Sequence, residues 1–88
     1  MPTLMMFYEG DDVKVKEDKI QTLLFSHPDY LVDEIKRPSA FFKRVSGRVV
    51  ECDWDKKRKA WTHFVSFVDR KSKQEIILWF LESELELV

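Results

Sequence analysis

Hydrophobic and polar positions change period along this chain of 88 residues. In DDVKVKE, Val13 and Val15 fall on one face and Asp12, Lys14 and Lys16 on the other, the alternation of a half-buried strand. The period then lengthens. DKIQTLLF sets Ile20, Leu23 and Leu24 at helical spacing, with Asp18 placed to cap the first turn. SHPDYLVDEIK offers Ser26 or His27 as a cap, Pro28 near the first helical position and Asp29 in the first turn. It is expected to stop ahead of Pro38, because the residue before a proline resists helical geometry. Residues 18–37 therefore read as one or two short helices between strands.

The second half returns to strand patterns. FKRVSGRVVECDW is a β-branched run closing on Trp54, and DKKRK is a polar turn. AWTHFVSFVD alternates Trp61, His63, Val65 and Phe67 against Phe64 and Val68. RKSK turns again, and QEIILWFL is apolar on both faces, which predicts a central or covered strand with Trp79 in the core. ESEL reads as a single tight turn and ELV as a short last strand. Two short-turned hairpins in succession form an antiparallel meander. The only two glycines, Gly10 and Gly47, each stand at the head of a strand, where glycine tolerates the entry into a tightly curved sheet.

The order of strand, helical excursion, three-stranded meander, tight turn and last strand resembles a small SH3-like barrel. GDDVKV, Gly10 to Val15, is similar to the opening strand of KOW-type and related barrels. GRVVE, Gly47 to Glu51, resembles their second strand, FVSF their third, and LWFLESELEL their closing strand, single-turn helix and final strand. The likeness covers residues 8–16 and 42–88, and extends to the O subunit of the photosynthetic NADH dehydrogenase-like complex and the barrel of nitrile hydratase β-subunits. It implies a mainly β fold: about five antiparallel strands in a single SH3-like domain, residues 1–88, with a short helical insertion at about 18–37. Against the ribosomal KOW pattern, this chain has a long helical insertion and lacks a basic-glycine pair before the second strand.

Composition fits one packed domain. The 14% aromatic share supplies large side chains for a small core, and disorder goes with few aromatics. Cys52 is the only cysteine, so no intramolecular disulfide forms; a reducing, cytoplasmic setting is expected. MPTLMMF is too short for a signal-peptide apolar region, and the run Ile76 to Leu81 falls far short of the roughly 20 residues of a membrane span. Net charge is −1, but it is partitioned. The first 35 residues hold three lysines against eight acids, residues 36–73 hold twelve bases against four acids, and the remainder four acids and no base. Such blocks are first of all solvated faces and hairpin tips, and secondly surfaces for steered docking.

Candidate chemistry is thin. A hairpin centred on residues 57–58 sets Cys52 opposite His63, yet no group to orient the imidazole is evident, and a lone strand cysteine is usually a small core hydrophobe. Two distant histidines and one cysteine give no metal-ligand spacing, and no glycine-rich phosphate loop exists, so no cofactor, metal or catalytic residue is assigned. Glu82, Glu84 and Glu86 read as a solvent-facing charged edge. The same register pairs Trp54 with Trp61, a cross-strand contact of about 0.2–1 kcal/mol, or a stacking platform if exposed. Lys56, Lys57, Arg58 and Lys59 crowd that hairpin's tip, while Arg70, Lys71 and Lys73 lie at the next, about 25 Å away at roughly 3.3 Å per residue. Only the first tip, joined by Arg44 and Arg48, offers a phosphate-tracking stripe.

The leading expectation is a noncatalytic protein-interaction module, an accessory or regulatory subunit, with Tyr30, Phe41 and Phe42 as contact residues. Nucleic-acid binding through the basic hairpin 55–60 with Trp54 and Trp61 is the alternative. Self-association, the acidic final strand meeting a neighbour's basic segment, is a third.

Overall fold

The structure, a computed structural model, describes residues 4–20, 38–68, 73 and 75–88. Its described elements are β1 (Asp12–Val15), a 3-10 turn (Glu17–Lys19), α1 (Pro38–Arg44), β2 (Gly47–Asp55), β3 (Ala60–Val68), β4 (Glu75–Leu81), a second 3-10 turn (Glu82–Glu84) and β5 (Leu85–Leu87). The fold is mainly β. All five strands join one antiparallel sheet in the order β4-β3-β2-β1-β5.

The long hairpin has the register expected from the sequence, with Cys52 opposite His63 and Trp54 opposite Trp61. One irregularity interrupts it. Val49 pairs with Val65 but Glu51 pairs with Phe64, so Val50 is an extra residue in β2, a bulge. On β3, His63, Val65 and Phe67 face inward and are fully buried, as the alternation predicts.

Inward side chains from all five strands meet Phe41 and Phe42 of α1. Phe42, Phe67 and Phe80 touch edge to face, with ring centres 5.5 to 6.0 Å apart. That geometry sets the positive edge of one ring on the negative face of the next. A domain this small has little other apolar volume with which to offset its chain entropy.

The helix α1 differs from the sequence reading, which ran the second strand back to Phe42. Pro38 opens a helix instead of only closing one, since its fixed φ and missing N–H suit the first helical position. Lys43 and Arg44 sit in the last turn, where cations oppose the helix dipole, and Val45 N–H closes it on Phe41 O at 2.9 Å. Of the expected excursion over 18–37, Asp18 and Lys19 belong to the first 3-10 turn and Ile20 is helical and buried; the rest lies outside the described residues.

The strand β4 is also not central. It is one edge of the sheet, with Ile76, Leu78 and Phe80 buried and Ile77 52% exposed. Trp79 is half-buried on the outer face rather than in the core.

The glycines serve two different ends. Gly10 has φ 96° in a tight turn closed by Asp11 N–H to Tyr8 O at 3.0 Å, a conformation that side chains resist. Gly47 is there for space. A Cβ on it would lie 2.5 Å from Val65 Cγ1 and 2.8 Å from Ser66 O, so β2 packs against β3 more closely than any other residue allows.

Candidate functional site

Directly paired residues of neighbouring strands share a face of the sheet, so the pairings of β2, β3 and β4 define an outer surface in rows. Arg48, Ser66 and Ile77 form one row, Glu51, Phe64 and Trp79 the next, and Asp53, Thr62 and Leu81 a third. Val68 adds a further apolar group beyond the first row, opposite Glu75. On this face Ile77 and Val68 are 52% and 51% exposed, and Val50 at the bulge 37%. Phe64 and Trp79 are half-buried and floor an open cleft of about 410 Å³ that runs to the hairpin tip.

At that tip Asp55 organises the turn. Its carboxylate accepts the Lys57 N–H at 2.9 Å and the Arg58 N–H at 3.2 Å, and Arg58 Nη1 donates to it at 2.8 Å. These bonds, led by the Arg58 side chain, hold the Asp55 carboxyl below its ordinary range. Arg58 also lies 5.3 Å over the Trp79 ring, a cation–π contact. Lys56, Lys57 and Lys59 are exposed around it, and Lys59 adopts φ 52° to complete the turn.

The basic stripe drawn from the sequence is not continuous. Arg48 lies eight residues before Lys56, about 26 Å at roughly 3.3 Å per residue, with Glu51 and Asp53 on the same face between them. It faces Asp12 at 3.6 Å, while Arg44 stands on α1, outside the strand altogether. Trp54 and Trp61 do meet, edge to face at 5.5 Å, and both are half-buried. Phe41 and Phe42 are 7% and 1% exposed, so they are core residues and offer a partner no side-chain surface. Tyr30 lies outside the described residues.

A second cluster lies on the inner side, where the sequence reading saw no orienting group. His63 Nδ1 is 3.2 Å from Cys52 Sγ, and His63 Nε2 is 3.0 Å from Glu82 Oε2. An ionised carboxylate only accepts, so Nε2 carries the proton shared with Glu82 and Nδ1 turns its lone pair to the thiol. Glu82 arrives there because β4 pairs with β3 through Phe80–His63, and the chain then bends into the 3-10 turn. The imidazole is fully buried, with Phe7 edge-on at 5.5 Å. Glu82 Oε2 also accepts Met6 N–H at 2.8 Å, and Phe7 O lies 3.9 Å from Cys52 Sγ. Burial pushes the Cys52 thiol up, helped by the nearby Glu9, Glu82 and Asp11 charges and opposed by the Glu9 backbone N–H.

The three C-terminal glutamates are thus not one charged edge. Glu82 belongs to the imidazole, and Glu84 is buried with its Oε1 accepting Leu81 N–H at 2.8 Å. Only Glu86 remains at the surface, 3.6 Å from Lys14. The pairing of β3 with β4 is the signal that locates Glu82, and it was available once the second turn had been placed.

No family model, curated protein or solved structure matches this chain. No helix among the described residues is long and apolar enough to cross a membrane.

Proposed function

We propose that this chain is a noncatalytic protein-interaction module, an accessory or regulatory subunit that docks through the outer face of β2, β3 and β4. The carrying observation is the apolar set Val50, Val68 and Ile77 left in solvent beside half-buried Phe64 and Trp79. Scattered apolar side chains are normal on a surface, but contiguous ones rimmed by charge mark contact sites. Arg48, Asp12 and Glu75 supply that rim beside Val50, Val68 and Ile77, and Lys56 and Lys57 stand at the far end of the cleft floored by Phe64 and Trp79. The strand order and the 3-10 turn before β5 support reading the fold as an SH3-like barrel.

The test is capture from source lysate with the wild type and with an Ile77→Lys/Val68→Lys variant that keeps the wild-type circular dichroism. A stoichiometric protein partner lost in the variant is the expected result. Equal capture by both forms, or none by either, removes the reading. Salt-sensitive retention of RNA or DNA would instead favour the basic hairpin, because phosphate contacts release counterions.

A further inference from the structure

We infer that Cys52 is a latent thiol for disulfide exchange, with His63 as proton acceptor, Glu82 as the orienting carboxylate, and residues 6–8 as a strap that keeps it silent. This assignment stands independently of the outer face. Nucleophile, base and orienter lie in series at 3.2 and 3.0 Å, the arrangement that activates a weak nucleophile. Nothing in sheet packing requires a buried histidine to be bonded at both ring nitrogens to ionisable side chains. A core position of this size is ordinarily filled by an apolar residue.

The strap covers the thiol and adds to the burial that disfavours its thiolate. Phe7 is 3% exposed against the imidazole, and its carbonyl lies over the sulfur. Met6 N–H is tied to Glu82, and Tyr8 N–H to Asp11 Oδ2 at 2.9 Å. The groups facing the sulfur are His63 from β3, Glu82 from the 3-10 turn, and Glu9 and Asp11 from the turn that follows the strap. Three of these four are acids, and with burial they disfavour the thiolate. Yet the strap is lightly held. Its Leu4, Met6 and Tyr8 are 92%, 68% and 56% exposed, so one buried ring, two backbone-to-carboxylate bonds, the Asp11 N–H bond to Tyr8 O and the long Cys52 Sγ–Phe7 O contact carry it. Such segments open at far less than the cost of global unfolding.

With the strap lifted, Cys52 attacks a small disulfide such as oxidised glutathione. The S–H proton moves to His63 Nδ1, the Cys52 sulfur bonds to one sulfur of the disulfide, and the old S–S bond breaks. The departing thiolate then takes the proton from the imidazolium. Cysteine is oxidised and half of the small disulfide is reduced, so atoms and electrons balance. The adduct occupies the space of Phe7 and holds the strap open.

The test follows the full chain reacting with an aryl disulfide that releases a coloured thiolate. Met6→Pro removes the N–H tied to Glu82 without touching the core, and Phe7→Ala removes the covering ring. Both are expected to react at least ~10-fold faster than the wild type, because opening of the strap no longer limits access to the thiol. Ile76→Val, a mild core change on β4, controls for general loosening and is expected to leave the rate within about twofold. The apparent thiol pKa in Met6→Pro should fall below that of the urea-unfolded chain, and adding His63→Gln should abolish that fall. The inference is overturned if the control accelerates as much as the strap variants, or if Met6→Pro reacts at the wild-type rate. It is equally overturned if the thiol in Met6→Pro titrates at or above the unfolded value. Should Phe7→Ala fail to fold, Met6→Pro alone decides.

Discussion

The two faces of β3 carry similar side chains to opposite ends. Inward, Val65 and Phe67 are fully buried and His63 is sealed with them; outward, Phe64 stays half-buried and Val68 half-exposed. Apolar character is common to both, so hydrophobicity alone does not say which residues hold the fold. What separates them is how many neighbours close over the side chain. Phe67 touches Phe41, Phe42 and Phe80, whereas Val68 faces Glu75 across an open edge. The inner face therefore carries most of the burial that holds the fold, and the exposed positions of the outer face are expected to tolerate substitution.

Four substitutions break or sharpen that contrast. Phe67→Ala removes a ring from the centre of the cluster and should cost about 3–5 kcal/mol, enough to leave so small a domain largely unfolded in a urea titration. Gly47→Ala puts a methyl 2.5 Å from Val65 Cγ1 and 2.8 Å from a backbone oxygen that has no easy retreat. Overpacking of that kind costs about 1–3 kcal/mol, and the urea midpoint should fall accordingly. A smaller loss at Gly47 than in Gly10→Ala would show that the close approach of β2 to β3 is not what fixes Gly47.

Glu84→Gln works in the other direction. Burial raises the Glu84 carboxyl above the ordinary range, with the Leu81 N–H bond opposing. A group raised on folding contributes stability below its unfolded value, and that contribution is lost as pH rises through the folded value. The amide keeps the acceptor and drops the charge. Its thermal midpoint should match the wild type under acid conditions and exceed it at neutral pH. A gain at acid pH, or none at neutral pH, would refute the sign. Last, Ile77→Lys on the outer face should change stability by no more than about 0.5 kcal/mol in the same urea assay.

The long hairpin was legible in the sequence because alternation and a polar tip jointly fix register, and Cys52–His63 and Trp54–Trp61 pair as that register requires. The five-strand antiparallel plan was legible for the same reason. Other features were hidden by ambiguity of a specific kind. Pro38 ends a helix as readily as it begins one, and only the packing of Phe41 and Phe42 chooses. The run IILWFL reads as covered because two-sided apolar pattern has two causes, a central strand or an edge strand that leaves apolar side chains part-exposed on its outer face. Glu82 looked like surface because its role depends on a residue nineteen positions earlier in the chain. Local pattern carries no information about such distant pairs until the strands between them have been paired.

Val50, the extra residue in β2, has a wider reach than its own position. In strict two-residue alternation from Val49, the groups sharing the inward side would be Glu51 and Asp53, two carboxylates driven into apolar surroundings. The insertion resets the phase, so that Cys52 turns inward and both acids turn to water. Straightening the bulge with Val50 kept would exchange the occupants of the interior for the rest of the strand, whereas deleting this one valine would leave regular alternation with Cys52 still inward. The chain thus writes two incompatible strand patterns end to end, and a single residue is the joint between them.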